Sequence, residues 1–235
     1  STMTGSITVG VACAVVGIIT AVVMGSGLGF NLSAILIDAA NGQLLILLIL
    51  TMLTSLLLGM GMPTTAAYMV LAVLVAPAII KMGVSQMAAH MFILYFGIIS
   101  TVTPPVALAA YAAAGVAKCN PAKAGIQGFR LSISGFILPF IFVYNNVLLM
   151  DGSFFDILSS FASATLGIFM LSCALERYLI RWKLSLPEAA LLLIGSITLI
   201  VPGTITDLTG VGILAAVVLF RLFVKRNAQP PAPEA

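Results

Sequence analysis

The sequence predicts an all-α protein that crosses a membrane several times. Of its 235 residues, 61% are hydrophobic and only 7% are charged, whereas a soluble domain carries about 25% charged residues. The mean hydropathy is +1.22. The apolar runs are continuous and do not alternate with polar residues, which indicates membrane helices and not the strands of a membrane barrel. Composition and run length together therefore predict a polytopic helical fold.

The predicted membrane elements follow one another with short connections. They are a first helix, a connector with an amphipathic centre, two half-length segments, a helix broken at its middle and four further helices. Their predicted bounds are 7–30, 31–43, 44–58 with 66–80, 88–117, 125–149, 154–174, 187–201 and 209–223. Residues 1–150 are expected to form a transport core and residues 151–226 additional membrane helices. Residues 227–235, with three prolines, are expected to be a disordered tail.

Two neighbouring apolar segments are too short to span a bilayer alone. Residues 44–58 and 66–80 each form a run of fifteen, and a spanning helix needs about 20 residues. The junction at 59–65, Gly-Met-Gly-Met-Pro-Thr-Thr, disfavours continuous helix because it contains two glycines and a proline. We expect a re-entrant hairpin over 44–80. A pair of spanning helices would satisfy the same topology, so segment length and the break favour the hairpin.

A second interruption follows further along the chain. Residues 91–99 are apolar, residues 100–105 read Ser-Thr-Val-Thr-Pro-Pro, and residues 106–117 are again apolar. Non-helical backbone at membrane depth is tolerated where protein or a water-lined cavity satisfies its polar groups. Two such breaks predict a binding site in the membrane interior, as in secondary transporters. Kinked helices whose threonines bond back to their own turns are the alternative.

The basic residues fall mainly on one side of this topology. Alternation of the helices places nine of the ten Lys and Arg residues on the side of Lys118. Lys81 lies on the opposite side, together with all four aspartates. This is the positive-inside pattern, and it puts both ends of the hairpin outside. The net charge of +3 thus has a topological cause and predicts no nucleic-acid partner.

Both breaks offer the hard oxygen ligands that suit Na⁺, through carbonyls and threonine hydroxyls. The expected Na⁺ ligands are Gly59, Gly61, Thr64, Thr65, Thr101, Val102, Thr103 and Pro104. Half-helix N-termini that face the same cavity suit an anionic carboxylate. Its expected contacts are Thr64, Thr65, Thr103, Pro104 and Pro105. We expect no cofactor and no enzymatic activity, since the membrane segments contain no nucleophile–base, metal-type or paired-aspartate set.

The residues at the two breaks resemble a known family. Leu-Gly-Met-Gly-Met-Pro-Thr-Thr-Ala-Ala-Tyr at 58–68 and Ser-Thr-Val-Thr-Pro-Pro-Val-Ala-Leu-Ala-Ala-Tyr-Ala-Ala-Ala-Gly at 100–115 closely resemble the large membrane subunit of tripartite ATP-independent periplasmic (TRAP) transporters. The Gly-Met-Pro-Thr-Thr form is most similar to the fused permeases of the TAXI branch. Phe-Val-Tyr-Asn at 142–145 and Glu-Arg at 176–177 support that similarity.

The resemblance implies a Na⁺-coupled, binding-protein-dependent permease that imports small organic anions across the inner membrane of a bacterial or archaeal cell. Such a large subunit has two inverted repeats, and this chain resembles the second, C-terminal half with extra helices. The implied partners are a periplasmic TAXI-type solute-binding protein, a small membrane subunit or its fused N-terminal equivalent, and the lipid bilayer. A noncatalytic membrane scaffold or assembly subunit with kinked helices is the alternative function.

Three isolated side chains carry weaker signals. His90, the sole histidine, begins the predicted broken helix and is interpreted as a packed or interfacial residue, with a proton relay as the alternative. Asp207 is predicted to lie in a loop between the last two helices. Trp182 stands between Arg181 and Lys183 and is predicted to be an interfacial anchor.

Overall fold

A computed structural model confirms the all-α class. It describes residues 25–180, 182–201 and 203–227, together with positions 11, 14, 15, 17–19, 21 and 22. Ten of the 24 residues of the predicted first helix, and the predicted tail beyond Asn227, lie outside the described residues. The chain divides into two compact units, Ser1–Leu149 and Met150–Ala235.

The first unit is built from helices and a final 3₁₀ turn over its described residues. The helices are α1 (Leu28–Ala39), α2 (Leu44–Gly59), α3 (Thr64–Leu74), α4 (Ala76–Lys81), α5 (Gln86–Ile99), α6 (Leu108–Ala117) and α7 (Pro121–Tyr144), and the turn is Asn146–Leu149. Among the described helices, α7 and one helix of the second unit are long and apolar enough to cross a membrane, and most of the others are shorter apolar helices.

Helix α1 occupies most of the segment that the sequence predicts to be a connector. Gly27 has a φ of +71° and precedes α1, so the first predicted helix does not continue to Phe30. Leu36 is buried, and the Ser33 hydroxyl donates a hydrogen bond to the Leu74 carbonyl at 3.1 Å. The connector prediction is therefore wrong: its amphipathic centre is a helix, because packing onto α3 and α4 buries its apolar side.

The two half-length segments form short helices joined by a tight reversal at 60–63. Helix α2 has 16 residues, which corresponds to about 24 Å, less than the hydrocarbon core of about 30 Å. The second segment divides into α3 and α4, with Val75 between them. Both α3 and α4 pack against α2. Each of the two half-length segments is thus shorter than a membrane-spanning helix.

The predicted broken helix is observed as α5 and α6, separated by residues 100–107. It begins earlier than predicted because the Ser85 hydroxyl caps it by accepting from the Ala88 N–H. Helix α5 packs against α2, α3 and α7. Phe92 and Phe96 are fully buried, and their rings lie edge to face at a centroid distance of 4.8 Å. Helix α5 is therefore the central element of the first unit.

Helix α7 is shifted towards the N-terminus relative to its predicted bounds of 125–149. It begins at Pro121 because the Asn120 side chain accepts a hydrogen bond from the Lys123 N–H at 3.2 Å, and proline suits a first helical turn. It ends at Tyr144. The Asn145 side chain then accepts from the Val147 N–H at 3.2 Å, which favours the separate 3₁₀ turn.

The second unit is a bundle of three helices with a small β-hairpin. The helices are α8 (Phe154–Glu176), α9 (Leu186–Ile200) and α10 (Thr204–Asn227), and the hairpin strands are β1 (Tyr178–Leu179) and β2 (Trp182–Lys183). Helix α9 packs against both α8 and α10. Asp207 lies in the first turn of α10, so its predicted placement in a loop is wrong: the helix begins before Thr209.

A partly buried ion pair joins the hairpin, α9 and α10. The Arg221 guanidinium pairs with Glu188, whose side chain is 10% exposed, and also donates to the Lys183 carbonyl at 2.6 Å. Glu188 accepts from the backbone N–H and the hydroxyl of Ser185, which completes a capping box at the start of α9. One arginine thus holds three segments together.

Arg221→Met is expected to lower the stability of the second unit by about 1–3 kcal/mol, because it leaves the Glu188 carboxylate buried without its cation. Cys173 is a buried thiol of this unit. In a background where Cys13 and Cys119 are replaced by serine, the temperature at which Cys173 reacts with a thiol dye reports the unfolding of the second unit. Adding Glu188→Gln should recover part of the loss. An unchanged temperature for Arg221→Met would contradict this role.

Candidate functional site

The tip of the hairpin and the break of the long helix are in direct contact. Gly59 is buried at the last position of α2. A Cβ atom built on Gly59 would lie 2.6 Å from the Oγ atom of Ser100 and 3.1 Å from its Cβ atom. Only glycine allows backbone to approach a neighbouring segment so closely. The structure therefore brings the two interruptions of helix together, as the sequence predicts for a shared site.

The N-terminus of α3 leaves donors free at the tip. No side chain caps α3, which Pro63 precedes, and the Pro63 carbonyl accepts from the Ala67 N–H at 2.9 Å. The first N–H groups of a helix, here those of Thr64 and Thr65, have no intrahelical acceptor. Gly61 has a φ of +78°, which suits glycine. The tip thus presents the partial positive charge of a helix N-terminus.

The break is a structured loop in which most carbonyl oxygens accept a hydrogen bond. The Thr101 carbonyl accepts from the Ala109 N–H at 3.0 Å, the Thr103 carbonyl from the Ala107 N–H at 3.1 Å and the Pro105 carbonyl from the Tyr111 hydroxyl at 2.8 Å. No backbone N–H of the described residues donates to the carbonyl oxygens of Val102 and Pro104. These two oxygens are among the predicted Na⁺ ligands.

The threonine hydroxyls of the break bond to their own helix. Thr101 Oγ1 donates to the Ile98 carbonyl at 2.7 Å and Thr103 Oγ1 to the Ile99 carbonyl at 2.8 Å. This geometry is what the kinked-helix alternative predicts. A hydroxyl that donates its one proton keeps its lone pairs, so both oxygens can still accept a hydrogen bond or coordinate a cation.

The other residues of the predicted site differ in how far they are exposed. Thr103 is buried, Thr64 and Pro104 are half-buried, and Thr65 and Pro105 are exposed. Within the described chain, the close contact between tip and break runs through Gly59, and no hydrogen bond joins the two threonines of the tip to the break. The structure therefore places the two segments in contact but does not bring all eight predicted Na⁺ ligands together.

Sequence reasoning missed Ser100 as a site residue, and it missed the partner of His90. Ser100, which contacts Gly59, was recognised as part of a motif and not as a site residue. Tyr68 and His90 form a hydrogen bond of 3.1 Å between the phenol oxygen and Nδ1, which ties α3 to α5 and makes His90 a packed residue. No periodicity reveals a pair separated by 22 positions, although Tyr68 lies within the motif.

The site contains no side-chain charge. Neither 59–65 nor 100–107 includes an acidic, basic or histidine residue, and the described residues hold no cluster of His, Cys, Asp and Glu that suits a metal. Its electrostatics come from backbone carbonyls, hydroxyls and helix ends. Such an arrangement can bind a small cation through oxygen atoms and an anion through N–H groups.

The comparisons with known proteins concern the same part of the chain. The sequence matches the family described as Tripartite ATP-independent periplasmic transporter, DctM component, over residues 1–157. The match covers both breaks and more than half of the 235 residues. No curated protein and no solved structure matches the chain.

Gly59→Ala is expected to force the tip away from the break and to destabilise the protein by about 1–3 kcal/mol. The measurement is the thermal unfolding midpoint of the purified chain in detergent. Gly115→Ala is the matched control, because nothing lies within 4 Å of its new Cβ atom, and alanine favours helix. Adding Ser100→Ala should restore part of the loss. Equal midpoints for the two glycine variants would contradict the contact.

Proposed function

The chain belongs to the DctM family, the membrane permease component of TRAP transporters, and from this premise we propose that its two breaks form a transport site for Na⁺ and a small organic anion. The family is a transporter component and not an enzyme family. Its members are integral inner-membrane proteins that work with a periplasmic binding protein. The contact of Gly59 with Ser100 carries the proposal, since it joins the two segments that offer ligands.

Na⁺ is proposed to bind between the tip and the break. The carbonyl oxygens of Val102 and Pro104, two half-buried residues, lack a backbone donor among the described residues, and a carbonyl that is shielded from water without a partner costs free energy. A bound cation removes that cost. The carbonyls of Gly59 and Gly61 and the hydroxyl oxygens of Thr101 and Thr103 complete the proposed oxygen set, with Thr64 and Thr65 on the tip side.

The anion is proposed to be a carboxylate held by helix N-termini. Helix α3 begins at the tip without a side-chain cap, and α6 begins at the end of the break, also without one. Free N–H groups and the helix dipole favour negative charge at such positions. Because neither break carries a basic side chain, Na⁺ would supply the nearest full positive charge. Thr65, Thr103 and the two prolines at 104–105 lie where substrate contacts are proposed.

Coupling follows from the shared site. We propose that Na⁺ favours the arrangement in which tip and break are together, and that this arrangement favours binding of the anion at the helix N-termini that follow them. Each ligand then strengthens the binding of the other, and thermodynamic linkage makes the effect reciprocal. The sub-span length of α2 and the reversal at 60–63 support a re-entrant hairpin for the residues that bind.

The partners are proposed from the family and the motifs. A TAXI-type periplasmic binding protein would deliver the substrate, and a small membrane subunit or its fused equivalent would complete the permease. The noncatalytic scaffold stays as a second candidate because the hydroxyls of Thr101 and Thr103 bond to their own turns. Removal of the threonine hydroxyls at the site distinguishes the transport function from the scaffold function.

Thr65→Val and Thr103→Val are each expected to raise the Na⁺ concentration for half-maximal uptake about fivefold, the equivalent of one weak ligand of about 1 kcal/mol. Uptake is measured in proteoliposomes of the complete permease. Thr54→Val is the matched control, because Thr54 also donates to its own helix, at 2.8 Å to the Leu50 carbonyl, away from the tip. Wild-type Na⁺ dependence in both site variants would favour the scaffold.

Single cysteines are expected to report the proposed topology in intact cells treated with an impermeant maleimide. In a chain without its native cysteines, positions 41 and 81 should be labelled in intact cells, and positions 123 and 183 only after the membrane is permeabilised, as the charge partition requires. Cytoplasmic labelling beside the tip, both with and without Na⁺ and substrate, would contradict a re-entrant hairpin and support a spanning pair.

A further inference from the structure

The connection between α8 and α9 is a β-hairpin with one anchored and one open face. Its strands pair antiparallel, with Tyr178 opposite Lys183 and Leu179 opposite Trp182. Leu179 is buried in the core of the second unit, and Trp182 packs against that core. Tyr178 and Lys183 are exposed. The hairpin thus holds its shape through one pair of side chains and presents the other pair outward.

The hairpin begins directly after a helix long enough to cross a bilayer. Helix α8 has 23 residues and is apolar, and its length of about 35 Å exceeds a hydrocarbon core of about 30 Å. Arg177 follows the last residue of α8, Glu176. The segment that follows a spanning helix lies at the level of the lipid headgroups. The open face of the hairpin therefore meets the membrane interface.

Ile180 occupies the turn in a conformation that its side chain disfavours. Its φ is +52°, a left-handed value that strains a β-branched residue. Two-residue hairpin loops usually carry asparagine, aspartate or glycine there. The Ile180 side chain is also 74% exposed, so packing within the described chain does not offset the strain. Contact of this side chain with an apolar environment outside the chain explains its presence.

Positive charge surrounds this apolar tip. Arg177 and Lys183 are exposed on the hairpin, and Arg221 of α10 contacts the Lys183 carbonyl. Glu188 of α9 is paired with Arg221. The exposed charged side chains described on the hairpin, those of Arg177 and Lys183, are thus both positive.

We propose that the open face of the hairpin, with Arg177, Tyr178, Ile180 and Lys183, is a binding site for the headgroup of an anionic phospholipid. Arg177 and Lys183 contact the lipid phosphate, while Ile180 enters the acyl boundary and Tyr178 lies at headgroup level. Basic and aromatic residues side by side are the pattern that anchors proteins at anionic interfaces. A soluble anion would satisfy the charges but would leave Ile180 in water. This site lies beyond residues 1–157, the part that matches the family.

The sole tryptophan of the chain is the probe. Trp182 lies on the hairpin, so lipids brominated in the acyl chain quench its fluorescence when they bind beside it. The purified chain is titrated in detergent with brominated phosphatidylglycerol or brominated phosphatidylcholine. We expect half-maximal quenching at a concentration at least fivefold lower for the anionic lipid. Equal concentrations for the two lipids would overturn the proposal.

Charge variants locate the site. Lys183→Gln and Arg177→Gln are each expected to weaken binding of the anionic lipid about fivefold, since a basic residue at an anionic surface contributes about that factor. Lys123→Gln is the matched control: it removes one exposed positive charge from the other unit and should leave quenching unchanged. Equal effects of Lys183→Gln and Lys123→Gln would show that net charge, and not the hairpin, attracts the lipid.

Ile180→Asn separates lipid contact from hairpin stability. Asparagine tolerates a positive φ, so the variant should unfold at the same or a higher temperature, while its affinity for the anionic lipid falls severalfold. A purely structural role for Ile180 predicts no fall. Inorganic phosphate at matched ionic strength should not reverse the quenching. Reversal by phosphate, or unchanged affinity of Ile180→Asn, would overturn the proposal of a lipid site.

Discussion

Backbone that leaves its helical hydrogen bonds inside a membrane has to be satisfied by the protein itself, because hydrocarbon offers no partners. The first unit contains two such segments, 60–63 and 100–107, and hydrogen bonds to the carbonyls of Thr101 and Thr103 meet part of that requirement. The approach of Gly59 to Ser100 places the two segments side by side. The packing of α5 against both α2 and α3 holds the two segments there. Tip, break and central helix thus form one interdependent structure.

The absence of side-chain charge at the breaks of the described chain has a mechanistic consequence. A charged residue at membrane depth is costly unless it is paired, and a neutral site avoids that cost when it is empty. It can then accept a cation and an anion that compensate each other's charge. Either ion alone would be buried without a counterion. The coupling of Na⁺ to a carboxylate proposed above would follow from a site made of carbonyls, hydroxyls and helix ends.

The sequence predicted the parts of the fold that depend on composition and run length. The all-α class and the two interruptions are of this kind, since two glycines and a proline at 59–63 disrupt a helix in any context. Features that depend on distant partners could not be predicted. Helix α1 forms because Ser33 and Leu36 pack onto later helices, and Ser100 gains its role only from Gly59. The hydroxyls of Thr101 and Thr103 bond to their own helix, which is one of the two alternatives that the sequence left open.

The second unit depends on a different kind of interaction. Its three helices share an apolar core, and Arg221 links the hairpin to α9 and α10 through Glu188 and the Lys183 carbonyl. A ligand that binds only the folded state stabilises it by mass action. A lipid held by the hairpin would therefore stabilise the folded state that Arg221 also holds together. Because α8 fixes the hairpin at the headgroup level, the stability of this unit would respond to the lipid composition of the membrane.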